Sequence, residues 1–427
     1  MDDYRIDQNI NMFKKFGVRN FFVILFVFTI VFTPSIGGYD TRYAYIILWF
    51  VFAFLRRNNQ IVGITKFDIL FFIGTIIIGI YALSISALNA SNDYFEVFRS
   101  FRAATTYLVI GLFIYRWEIR THEILRILET ILFIHAISII IGVIYPDFEQ
   151  IIAFISGFEK TNLNLRSTGF SPSYEGAGFL CIVGIILNIP NVIIKKSKFF
   201  NNKSLIYIIA VIFTSRTSIL VLTMLIGVVF MYALKKGMLK SSINILKYIF
   251  PLLILAVSFF IMTTNFGSNY RTEVYKYMPK LANTIERFDS SYTDYGIHTS
   301  VVQRHISIDE NIKPIKLIFG SGYRIANKDP GYIKSIYSIG FIGMFAGVFM
   351  YLKSTKNLYK IWKKYKLKDN MYPVIYFWIT ILILLFEIKM TFIMSSIYFE
   401  LLSLLYLGAI NDMKLEIKKH HFGSLRV

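Results

Sequence analysis

The chain has 427 residues, of which 55% are hydrophobic and only 17% charged, against about 25% charged in a soluble globular protein. Its 46 Lys and Arg outnumber 26 Asp and Glu, a net +20 that in a soluble chain would point to nucleic acid. Apolar runs such as Phe67 to Leu88 instead reach the roughly 20 residues that cross a hydrocarbon core. Disorder, a fibrous protein and, with a single cysteine (Cys181), a disulfide scaffold are excluded.

The expected fold is all-α, a polytopic membrane helical bundle of about 12 transmembrane helices forming one integral membrane domain over residues 1–427. In chain order the spans centre on Phe21 to Phe32, Tyr43 to Leu55, Phe67 to Leu88, Ala103 to Tyr115, Ile124 to Tyr145 and Phe170 to Pro190. They continue with Leu205 to Thr214, Ser218 to Leu234, Tyr248 to Thr263, Ile336 to Leu352, Tyr372 to Glu387 and Phe392 to Ile410. The basic flank and short apolar run of the first span also fit a signal peptide, but a retained helix keeps the charge alternation intact.

Orientation follows from the loops. With the N-terminus cytoplasmic, alternate connections hold Lys14, Lys15 and Arg19, then Arg56, Arg57 and Lys66, then Arg116, Arg120 and Arg126. The pattern continues through Lys195 to Lys203, Lys235 to Lys247, the dense Lys353 to Lys368 cluster and the C-terminal tail. With Arg5, 29 of the 46 basic residues fall on that side, so both termini are expected in the cytoplasm and nucleic acid is not an expected partner. Two long loops then face outward, residues 147–168 and 265–334. In the larger, Val274, Met278, Leu281, Ile285 and Phe288 recur at helical spacing, which predicts an amphipathic helix that packs on its own bundle, lies on the membrane or caps a cavity.

No Walker loop, HExxH, GxSxG or CxxC motif occurs, and no Asp-x-Asp pair marks the outer face. The chemistry therefore rests on scattered polar groups, with no cofactor and no metal expected. Arg166 opens RSTGFSPSYEGAGF, which places Glu175 about five residues inside the sixth span, roughly 7 Å along a helix. A carboxylate there either pairs with an arginine or serves as a partly desolvated general base. Arg216 sits in a tight turn, where it either snorkels or binds phosphate oxygens beside a helix start that Thr217 and Ser218 cap. Arg304 and His305 precede an FGSGYR turn, and Asp329 stands in a Pro-Gly turn before the tenth span. His305 is an acid or base candidate near neutral pH or a solvated loop histidine. Within the membrane, Glu129, His135 and Glu400 suggest either a proton relay or interhelical hydrogen bonds.

RSTGFSPSYEGAGF, SRTSIL, and RHISIDENIKPIKLIFGSGY followed by KDPGYIKSIYSIGFIG together resemble the O-antigen polymerase (Wzy) and O-antigen ligase superfamily of bacterial envelope enzymes. The resemblance covers roughly Arg166 to Leu352, and its order and shared outer placement are more specific than any single motif. The ligase branch usually has a histidine before the final Gly-rich span; here Asp329 stands in that region, which favours polymerase. The resemblance implies a GT-C-like, metal-independent glycosyltransferase of the bacterial inner membrane, polymerising undecaprenyl-diphosphate-linked repeats into O-antigen or capsular polysaccharide on the outer face. It further implies that Arg166, Arg216 and Arg304 hold the diphosphate, that Glu175 or Asp329 takes the acceptor proton, and that a flippase and a chain-length regulator are partners. The alternatives are an O-antigen ligase and, in a different class, a lipid-linked oligosaccharide flippase or transporter.

Overall fold

The computed structural model describes residues 17–35, 41–55, 65–157, 167–195, 202–235, 313–323, 331–365, 372–387 and 396–423. All regular structure among them is helical. The first helices are α1 (Val18–Phe32), α2 (Arg42–Leu55), α3 (Leu70–Leu88), α4 (Phe95–Trp117), α5 (Thr121–Ile144) and α6 (Pro146–Ser156). They are followed by α7 (Tyr174–Lys195), α8 (Asn202–Ile212) and α9 (Arg216–Lys235). The last described helices are α10 (Pro314–Phe319), α11 (Gly331–Tyr365), α12 (Tyr372–Phe386) and α13 (Ser396–Gly423). The expected span Tyr248 to Thr263 and the expected amphipathic helix around Val274 to Phe288 lie outside the described residues. A described helix overlaps each of the other expected apolar segments. By length and composition, α3, α4, α5 and α11 are apolar enough to cross a membrane, while α1, α2 and α12 are shorter apolar helices.

Two helices form the centre. Between Phe399 and Asn411 nearly every residue of α13 is buried, and it packs against α1, α4, α5, α11 and α12. Residues Ala177 to Ile186 of α7 are buried in the same way, against α5, α8, α9 and α12. Helices buried on every face form the inside of a bundle, and α13 takes Glu400, Ser403 and Asn411 in with it. The periphery has the reverse of a soluble surface: Ile47 is 64% exposed, Phe54 55% and Ile77 58%. Continuous apolar faces of this kind match a hydrocarbon surround rather than water.

Ring packing holds the α1–α2–α4 corner: Phe26 stacks on Phe113 at 4.0 Å and meets Trp49 edge-on, while Trp49 Nε1 donates to Thr29 at 2.8 Å. The outward loop expected over residues 147–168 contains a helix in its first half, α6, opened by Pro146 at a position where a missing N–H costs nothing.

α11 is broken at Gly340, whose φ of 68° and ψ of 178° interrupt the helix. The cause is distant in sequence. The Gly320-Ser321-Gly322 turn runs alongside the break, Ser321 N donating to Tyr337 O at 2.7 Å and Gly322 N to Ser338 O at 3.1 Å. Carbonyls released by the break thereby find donors, as apolar surroundings demand. A Cβ on Gly340 would strike the Ile318 carbonyl, and one on Gly320 would come within 2.7 Å of the Ser338 carbonyl, so glycine permits the contact from both sides.

Candidate functional site

The two ends of α4, separated by about 28 Å of helix, carry ionisable groups in different arrangements. At one end Asp68 binds Lys414 Nζ at 3.0 Å and accepts the Tyr115 hydroxyl, while the ammonium lies 3.8 Å from the Tyr115 ring. Burial pulls the Lys414 ammonium below its usual range, and Asp68 opposes the shift. Asn411 Nδ2 donates to Ile119 O at 2.9 Å, and Asp412 accepts the Thr121 N–H at 3.2 Å. Arg19 joins the same end, donating to Glu123 at 3.1 Å and to Trp117 O.

At the other end α4 carries Glu96, Arg99 and Arg102. Arg99 and Glu96 pair at 2.7 Å with both side chains almost wholly buried, yet the Arg99 Nε–H has no acceptor among the described residues. Arg102, half-buried, makes no hydrogen bond or ion pair among the described residues; it lies in the field of Glu400 on α13 and of Arg99 and Arg42. One to two turns further in, Thr106 Oγ1 and Tyr107 OH of α4 and Ser403 Oγ of α13 are buried without partners among the described residues. Arg99, Arg102 and Thr106 share a helix face by their spacing, as do Glu400 and Ser403. The α4–α13 interface is therefore a polar seam with unused donors, an arrangement that native proteins keep for water or ligand.

Glu175 lies in the adjoining helix. Expected about five residues inside a span, it is the second residue of α7, half-buried in the first turn. The helix starts late because Pro172 biases Ser171 towards extended backbone, and Ser173 caps the helix, its Oγ accepting Gly176 N at 3.0 Å. Tyr398 of α13 hydrogen-bonds Ser173 and lies in the field of Glu175. With Tyr398 turned to α7 and Glu400 to α4, α13 joins the two polar groups. One turn below Glu175, Gly178 packs against Ser218 and Thr214, so the first turn of α7 stands beside the start of α9.

Arg216 is the first residue of α9; its side chain lies outside the described residues. The cap of this helix is Ser215, not Thr217 or Ser218: Ser215 Oγ accepts Ser218 N at 3.2 Å, because the capping residue must precede the first helical one. Ser167, which follows Arg166 in the chain, donates its N–H to Phe213 O at 3.0 Å and so ties that segment to the α8–α9 turn. Arg166, Arg304, His305 and Asp329 lie outside the described residues.

Of the two readings open for Glu129, His135 and Glu400, a relay or interhelical hydrogen bonds, the contacts of the first two fit the second. Glu129 pairs with Lys203 at 2.7 Å, His135 accepts Phe170 N at Nδ1 (3.2 Å) with Nε2 3.4 Å from Ala177 O, and Glu400 belongs to the α4–α13 seam. Glu129 and His135 thus stitch neighbouring helices together. Beside the α3–α4 loop, a 480 Å³ pocket is lined by Asn89, Ser91, Asp93, Lys316, Ser321 and Tyr323. Its floor is the Gly320–Gly322 turn, held by Ser91 Oγ to Gly322 O at 2.6 Å and Tyr81 OH to Phe319 O at 2.8 Å.

Glu96, Arg99 and Arg102 do not stand out in the sequence because their charges fall outside the apolar segment Ala103 to Tyr115 on which the fourth span centres. The available signal was their three-residue spacing, which puts them on one side of a helix whose other side is Phe98 and Phe101. Comparison of the chain with protein-family models, with characterised proteins and with solved structures gives no match.

Proposed function

We propose that the chain is a glycosyltransferase of the bacterial inner membrane that polymerises undecaprenyl-diphosphate-linked oligosaccharide repeats, with a bundle of about 12 spans and a GT-C-like architecture. The observation that carries the reading is the α4–α13 seam, where the Arg99 Nε–H and the Arg102 guanidinium are held in the bundle without acceptors among the described residues. Arginine forks match diphosphate oxygens, and fixed cations in a water-poor site stabilise the charge that grows on a departing phosphate.

In this reading the Asp68 end, with Arg19, Lys66, Arg116 and Lys414, faces the cytoplasm together with both termini, and the Glu96 end faces outward. Arg99 and Arg102 act with Arg166, Arg216 and Arg304 on the donor diphosphate. An acceptor hydroxyl oxygen of a new lipid-linked repeat bonds to the anomeric carbon of the growing chain, and the carbon–oxygen bond to the diphosphate breaks. The hydroxyl proton passes to Glu175 or Asp329, with His305 as a further acid or base, and undecaprenyl diphosphate leaves. The pocket lined by Asn89, Ser91 and Asp93 suits sugar hydroxyls. A flippase supplies the repeats and a chain-length regulator limits them. The aspartate at position 329, where the ligase branch usually has histidine, supports polymerase over ligase.

The deciding experiment incubates purified full-length protein with one defined undecaprenyl-diphosphate-linked repeat. A ladder of chain lengths is expected. Folded protein that yields no ladder, or that moves the repeat across a bilayer unchanged, overturns the reading.

A further inference from the structure

The Asp68 end of the bundle carries a feature that glycosyl transfer does not use. Between the C-terminal half of α11 and the start of α12 lies a groove of 590 Å³, lined by Lys356, Tyr359, Trp362, Lys363, Pro373 and Phe377 among others. Trp362 forms its back wall. The indole is 6% exposed and stacks on Tyr372 at 4.9 Å, but its Nε1–H is buried without an acceptor among the described residues. Buried indoles normally find a hydrogen-bond partner, so this donor marks a place for an acceptor.

The same face of α11 changes character along its length. Phe345, Phe349, Leu352, Lys356, Tyr359 and Lys363 follow one another at alternating spacings of four and three residues, one continuous helical stripe. Its first part is apolar and exposed, Phe345 at 62%, Phe349 at 65% and Leu352 at 44%; its last part is two exposed lysines flanking Tyr359. Val374 and Phe377 of α12, both exposed, continue the apolar wall. An apolar track about two turns long that ends in paired cations and an aromatic ring matches a molecule with an acyl chain and an anionic head.

We propose that this groove is a binding site for an acidic phospholipid, the phosphate held by Lys356 and Lys363 with the Trp362 N–H, and an acyl chain lying along Phe345, Phe349 and Leu352. Basic pockets between membrane helices bind anionic headgroups in this way, and each lysine near the surface adds to the attraction. The site is independent of the polymerase reading, since its residues lie at the opposite end of the bundle from Arg99 and Glu175.

The test is native mass spectrometry of the full chain in mild detergent, titrated with phosphatidylglycerol, with phosphatidylcholine and inorganic phosphate as the other arms. One phosphatidylglycerol is expected to remain bound under activation that strips phosphatidylcholine. The double variant Lys356→Gln/Lys363→Gln should weaken its retention about thirtyfold. Trp362→Phe keeps a ring against Tyr372 and removes only the N–H, and should weaken it several-fold. Lys360→Gln/Lys364→Gln removes the same charge from a neighbouring face and should leave retention unchanged. Equal loss from both lysine pairs would mean diffuse attraction and overturn the proposal. So would equal retention of phosphatidylcholine, inorganic phosphate held as firmly as the lipid, or a groove filled by another segment of the chain, which would show no lipid preference.

Discussion

The two ends of α4 hold ionisable groups in a similar apolar setting and treat them differently. At Asp68 the carboxylate, the Lys414 ammonium and the Tyr115 phenol satisfy one another, and the ammonium also rests on a ring. At Glu96 only part of the Arg99 fork is engaged and Arg102 is unpaired among the described residues. A closed buried pair is a structural device, whereas cations kept near carboxylates without saturating them remain available to a ligand. Under the proposed function the contrast assigns stability to one end and chemistry to the other, and mutation can break that assignment.

The largest effect is expected at the unsaturated end. Arg102→Ala, and separately Arg99→Ala, should lower polymer formation by about a hundredfold or more, the scale of losing one preorganised donor to a developing anion. Membrane insertion and the melting temperature of Arg102→Ala should stay near wild type, because that side chain has no hydrogen bond or ion pair to lose among the described residues. Wild-type ladders from both variants would move the site away from this seam.

Next comes the closed end. Lys414→Ala strands Asp68 in the bundle and should cost about 3 kcal/mol or more, read as a lower melting temperature, while protein that remains folded keeps its activity. Replacing the pair with Leu at 68 and Met at 414 should recover most of that loss, since a buried ion pair contributes little over well-packed apolar side chains. A double replacement as unstable as the single one would show that the pair is required for itself.

The break in α11 should be intermediate. Gly340→Ala forces a side chain into a backbone conformation at φ 68° and onto the Ile318 carbonyl, so roughly 1–3 kcal/mol of stability should be lost. Hydrogen exchange should rise in the Gly320–Gly322 turn, which is bonded to the broken segment, and remain unchanged around Asp68.

Much of the scaffold was legible because apolar runs identify helices whatever they pack against: α2, α5 and α12 begin and end within a few residues of the expected segments. The site was less legible for the same reason. A reading that treats charges as span boundaries must start α4 at Ala103 and discard Glu96, Arg99 and Arg102, although the helix starts at Phe95. The position of Glu175 near an apolar run singles it out, but the Ser-Pro-Ser cap that sets the start of α7 puts the carboxylate in the first helical turn rather than five residues in. The interruption at Gly340 has no local signal, because its cause is a turn some twenty residues earlier in the chain. Glu129 and His135 illustrate the converse: rare polar residues in apolar runs drew attention, and Lys203, Phe170 and Ala177 account for them.

The smallest expected difference compares two groups that satisfy helix starts, one at each end. Ser173 caps α7 through Gly176 N, and Asp412 accepts the first N–H of α5 from Thr121 at 3.2 Å. Ser173→Ala and Asp412→Ala should each cost about 1 kcal/mol in stability, the usual scale for losing a cap. Their effects on polymer formation should diverge. Ser173 also hydrogen-bonds Tyr398 and stands two residues before Glu175, so its loss lets the first turn of α7 fray where the proposed base is held. A several-fold drop in turnover is expected for Ser173→Ala, restored by Ser173→Thr, which keeps the capping oxygen. Asp412→Ala should leave turnover unchanged at temperatures where the protein stays folded. If the two variants lose stability and turnover in the same proportion, Glu175 is held by the bundle as a whole and the cap contributes nothing specific to its placement.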